Sequence, residues 1–125
     1  MAKYNCEIFG TFTYSLEISY HELYEVEQEL ILKVQDTLEH FGAQHLDFWG
    51  YGDTLQVQCA LAEYDVPNLE SLCDELAALL GQDMRAKFVC LDKHLNELSI
   101  FFLEKNTWRS RQVDISDDSQ EERTD

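Results

Sequence analysis

From Tyr4 to Ile18 the chain alternates without a break, and this constrains the fold more than any other feature. Tyr4, Cys6, Ile8, Gly10, Phe12, Tyr14, Leu16 and Ile18 share one phase; Asn5, Glu7, Thr11, Thr13, Ser15 and Glu17 share the other. Side chains on a strand point to opposite faces in turn, so this period of two predicts one long strand with a single buried face. Gly10, in the apolar phase, marks a bulge or a bend in that reading.

The period then switches to that of a helix. Ser19 and Glu22 fit a capping box, followed by Leu23, Val26, Leu30, Val34, Leu38 and Phe41 at spacings of three and four, with Gly42 as the stop. Two strands come next, Leu46 with Phe48 and then Leu55, Val57, Cys59 and Leu61, joined by a hairpin at Gly50-Tyr51-Gly52-Asp53. A second helix is expected over 67–80, with Leu69, Leu72, Cys73, Leu76, Leu79 and Leu80 on its buried face. Strands near 84–91, 98–103 and 108–115 complete the chain. The resulting β-α-β-β-α-β order predicts an α+β, ferredoxin-like antiparallel sheet with two helices on one face, plus a C-terminal β-hairpin. Residues 1–115 form a single domain in this reading, and 116–125, which lack any apolar residue, form a disordered acidic tail.

Charge is distributed in blocks. Residues 1–84 hold sixteen acidic side chains against Lys3 and Lys33, residues 85–113 hold six basic and three acidic ones, and the last twelve are again acidic. A net charge of −16 repels nucleic acid and anionic membranes and attracts cationic surfaces, so the expected partner is a basic protein, itself a nucleic-acid binder or a nuclease. Direct nucleic-acid or membrane binding is not expected. No apolar run approaches the ~18 residues of a membrane span, and no export signal is visible, which places the protein in a cytoplasm. In that compartment Cys6, Cys59, Cys73 and Cys90, each in the apolar phase of its segment, are expected as free buried thiols.

Two surfaces stand out as candidate binding sites. Glu22, Glu25, Glu29, Asp36 and Glu39 fall off the apolar stripe of the first helix. Only Glu29–Lys33 forms an oppositely charged i,i+4 pair, while Glu25–Glu29 is a like-charge pair that costs a few tenths of a kcal/mol, roughly. Such a face is either plain solvated surface or a surface made to meet a basic one. Its carboxylates could steer association or imitate the phosphates of a nucleic acid. The second surface is the other side of the sheet. Phe9, Trp49, Tyr51 and Phe101, with Val89, Leu91 and Leu103, are assigned to it, too apolar for a solvated face. The C-terminal hairpin or tail covering it, self-association as a homodimer, and a docked partner are all compatible with that pattern. A basic group, Lys105, Arg109 and Arg111 around Trp108, is expected to pair with the protein's own acids or with the tail at Asp114, Asp117 and Asp118; the alternative is a small anion-binding spot.

No catalytic signature is present. Gly50-Tyr51-Gly52 lacks the third glycine and the strand–helix setting of a nucleotide site, and no serine or cysteine sits in a nucleophile elbow. His40, His45 and Asp47 have no metal-site spacing, so neither metal nor cofactor is expected. The combination of small size, strong acidity and α+β layout resembles, in general character, phage-encoded inhibitors of bacterial defence, including anti-CRISPR proteins, and also immunity proteins that neutralise nuclease toxins. That resemblance rests on no motif and assigns no residue a role. It implies a non-enzymatic inhibitor that blocks a basic nucleic-acid-handling partner. The rival reading is a ferredoxin-like module that binds a ligand or dimerises through its open sheet face.

Overall fold

The computed structural model describes residues 4–14, 20–93 and 97–114, with only the backbone of Tyr20 and Tyr51. Strand β1 (Cys6–Tyr14) is followed by helix α1 (Tyr20–His40), strands β2 (Gln44–Tyr51) and β3 (Thr54–Leu61), helix α2 (Val66–Leu79), and strands β4 (Met84–Asp92), β5 (Glu97–Glu104) and β6 (Thr107–Asp114). The Ser19 cap, the far end of the alternating segment at 15–18 and the tail at 116–125 lie outside the described residues.

All six strands join one antiparallel sheet in the order β2-β3-β1-β4-β5-β6. The architecture is α+β with two helices, but the order is not a plain ferredoxin-like one. β5 and β6 continue the sheet past β4. The C-terminal hairpin therefore extends the sheet in its plane and does not fold across the open face.

Both helices pack on the same face. Cys6, Ile8, Phe12 and Tyr14 of β1 join Leu30, Val34 and Leu38 of α1 and Leu69, Leu72, Cys73 and Leu76 of α2 in a single buried cluster. α1 ends at Gly42, the expected stop, which takes φ +88°, a left-handed conformation that glycine adopts without strain. α2 lies towards the β5–β6 side, where the Trp108 indole donates a 2.7 Å hydrogen bond to the Asp74 carboxylate. All four cysteines are free and buried in this core. Burial pushes the thiols of Cys6, Cys59 and Cys73 up to about 12; nearby carboxylates are the smaller cause for Cys6 and Cys73, and the neighbouring Cys6 thiol for Cys59.

Gly10 is not a bulge. Its pairing runs in register with Val57 on one side and Phe88 on the other. The Phe88 ring lies directly over it, within 2.5 Å of where a Cβ would stand. The absence of a side chain is what lets the ring settle against the strand.

Candidate functional site

The outward face of α1 is built as its period required. With Leu30, Val34 and Leu38 held in the core, Glu22, Glu25, Glu29, Asp36 and Glu39 are all exposed. Local contacts are few. Lys33 donates to Glu29 at 2.9 Å, His21 lies 3.7 Å from Glu25, and the Gln35 amide donates to Glu39 at 3.4 Å. α2 adds Glu70, Asp74 and Glu75, so the two helices together hold nine carboxylates against one lysine. Where the helices meet, Asp36, Glu39 and Glu75 line a shallow acidic groove.

Two apolar side chains stand on this acidic face. Tyr24 and Leu32 are 63% and 68% exposed. On a helix of 3.6 residues per turn, Leu32 sits near the middle of the outward face, with Gln28 and Glu29 one turn before it and Gln35 and Asp36 one turn after. The sequence reading overlooked both. The signal was available, since neither belongs to the buried stripe.

One carboxylate of α1 faces the other way. Glu27 lies over Gly50 of β2, and burial raises its pKa above the ordinary carboxylate value. It also contributes, after burial itself, to raising the pKa of Tyr14, whose hydroxyl is buried with no hydrogen-bond partner among the described residues.

The open face of the sheet differs from expectation in two ways. Phe9 and Trp49 are there, 41% and 42% exposed, but Phe101 and Leu103 are not. β5 pairs with β4 so that Phe101 faces Phe88 and Leu103 faces Ala86, which puts both under the helices at 1% exposure. Leu98, Ile100 and Phe102 take the outward places, beside Val89 and Leu91. A one-residue change of parity exchanges every side chain between faces. Of Tyr51 only the backbone, at the end of β2, is described.

The second difference is charge. Arg85 and Lys87 on β4 and Arg109 and Arg111 on β6 share the parity of Val89 and Ile100, so four of the chain's nine basic residues emerge on the open face. None of the four forms an ion pair among the described residues. The expected pairing of Arg109 and Arg111 with the tail acids Asp117 and Asp118 lies outside the described residues. The β4–β6 half of this face is cationic.

The acids of α1 and the aromatics of the sheet lie on opposite sides of the molecule. A single flat interface therefore cannot use Glu25 and Trp49 together. Among the described residues no three His, Cys, Asp or Glu side chains are grouped so as to hold a metal ion, and no helix is long and apolar enough to cross a membrane. No protein-family pattern matches the chain, and no curated protein matches it either.

Proposed function

We propose that this chain is a non-enzymatic inhibitor that presents the outward face of α1 to a basic, nucleic-acid-handling protein. One observation supports this reading above the rest. An exposed Leu32 stands in the middle of a helix face framed by Glu25, Glu29, Asp36 and Glu39, with Tyr24 two turns away. Carboxylates around an apolar anchor are the ingredients of a steered interface: the charge raises the association rate, and the desolvated anchor holds the complex. Anchors on α1 itself replace the sheet aromatics in this role. Phage anti-defence inhibitors and immunity proteins directed at nuclease toxins would both use such a surface in this way. In architecture we read the β1-α1-β2-β3-α2-β4 portion as a ferredoxin-like unit with the β5–β6 hairpin added at its edge.

The test is capture of partners from a lysate of the source organism at low and high salt, with partners identified by mass spectrometry. Wild type is compared with Leu32→Glu and with the triple variant Glu25→Gln, Glu29→Gln, Asp36→Asn. The expected result is a nuclease, helicase or other nucleic-acid-handling protein retained by wild type at low salt. It is lost at high salt and lost with either variant. Association kinetics with that purified partner should slow by about tenfold or more in the triple variant. A partner held equally by all three proteins at both salt concentrations would sink the proposal.

A further inference from the structure

Three of the four cations of the open sheet face, Arg85, Lys87 and Arg109, line a cleft of about 380 Å³, within the size range of small-ligand sites. Its floor and walls come from four neighbouring strands. Along one cross-strand row, Thr11 of β1 pairs with Lys87 of β4, Lys87 with Phe102 of β5, and Phe102 with Arg109 of β6. Thr13 and Arg85 occupy the next row. The Arg109 guanidinium lies 4.4 Å from the centre of the Phe102 ring, and the Lys87 ammonium 6.0 Å from it. Glu104 stands on the rim but forms no ion pair with any of these cations.

This arrangement gathers like charges on one face. Residues two apart on a strand, such as Arg85 and Lys87, are about 7 Å apart, so like charges there repel. In a chain with 25 acidic residues, carboxylates to relieve the repulsion are abundant. Nine of them lie on the helices, on the far side of the sheet, and among the described residues Glu104 is the one carboxylate that lines the cleft. A helix is about 10 Å across, more than the Debye length of about 8 Å at physiological salt, so the outer helix acids are largely screened from this cleft.

We propose that the cleft is a binding site for a small phosphate-bearing dianion with an aromatic or apolar substituent. Three cations against one carboxylate leave a surplus of two positive charges, which a phosphate monoester neutralises. Arg85, Lys87 and Arg109 donate to its oxygens, the hydroxyls of Thr11 and Thr13 offer neutral donors, and the substituent lies against Phe102. The site is independent of the α1 surface and does not rest on the inhibitor reading.

The test uses the full-length protein labelled with nitrogen-15, titrated with inorganic phosphate and with phenyl phosphate at matched ionic strength. Saturable amide shifts confined to β1, β4, β5 and β6 are expected, with phenyl phosphate binding more tightly than phosphate. Lys87→Gln and Arg109→Gln should each weaken binding about tenfold, the loss of one charge-assisted hydrogen bond. Phe102→Ala should weaken phenyl phosphate while leaving inorganic phosphate within about twofold, which separates recognition of an organic phosphate from that of free phosphate. Equal binding of the two probes limits the site to free phosphate and overturns the role of Phe102. Non-saturating shifts overturn the site itself, as do shifts unaltered in the Lys87 and Arg109 variants. Failure of both probes to bind overturns it too.

Discussion

Replacing Gly10 by alanine puts one methyl group where the structure has no room for it. The new carbon would stand 2.5 Å, 2.8 Å and 2.8 Å from three atoms of the Phe88 ring, whereas carbon atoms in contact ordinarily keep about 3.5–4.0 Å. The ring would have to retreat by about 1 Å. It has little freedom to do so, being 1% exposed and held edge-on against Phe12 at 5.4 Å between ring centres. Overpacking of this kind costs about 1–3 kcal/mol, while the stiffer unfolded chain returns about 0.4–1 kcal/mol. A net loss of about 1–2 kcal/mol follows, or a fall of about 4–8 °C in Tm for a chain of this size. Urea denaturation should show a lower midpoint with an unchanged slope. The cause is isolated by a double-mutant cycle with Phe88→Leu, which removes the outer ring atoms. The two losses should fail to add, with Gly10→Ala costing about 1 kcal/mol less in the Phe88→Leu background. An unchanged or raised midpoint for Gly10→Ala would refute the argument, and so would an additive cycle.

Two further predictions concern ionisable groups in or near the core. Because burial raises the pKa of Glu27, the native state disfavours its charge; the penalty is absent at low pH and appears as pH rises above the ordinary carboxylate value of 4.5. Glu27→Gln should therefore stabilise the protein at pH 7 and make little difference below pH 4, as read from urea midpoints at the two pH values. The cysteines give the same sign in a higher window. Unfolded thiols ionise near 9.0, while Cys6, Cys59 and Cys73 hold their protons in the fold to about 12, so their contribution is complete below pH 9 and is lost progressively above it. The native protein at pH 8 should resist a thiol-reactive dye that labels all four cysteines in denaturant. Rapid labelling of any cysteine in the native state would contradict their burial.

Most elements were legible from local pattern. The buried stripe of α1 and the turn at Gly42 follow from residues close in sequence, and the exposure of Glu22, Glu25, Glu29, Asp36 and Glu39 follows from that stripe by geometry. β1 was legible for the same reason, since only one of its phases is consistently apolar. β5 was not. Leu98, Ile100 and Phe102 are apolar in one phase, and Phe101 and Leu103 in the other. A strand apolar on both sides carries no record of which side is buried, and Phe101 was assigned to the wrong face.

The amino-acid sequence by itself determined the order of strands and helices, the acidic character of the helix surfaces and the basic character of the last strands. These are properties of residues and their spacing, independent of what packs against them. Only the tertiary structure decided that Phe101 lies under the helices and Phe102 above open space, because the hydrogen-bonded register of β5 on β4 sets that parity. It also decided that Arg85, Lys87 and Arg109 converge. Those three come from strands separated by turns and by β5, and their meeting on one face depends on pairings between residues distant in the chain. The separation of an acidic helix side from a cationic sheet side has the same origin: two helices cover one face of the sheet, and the charge left on the other face is what the strand register turns outward.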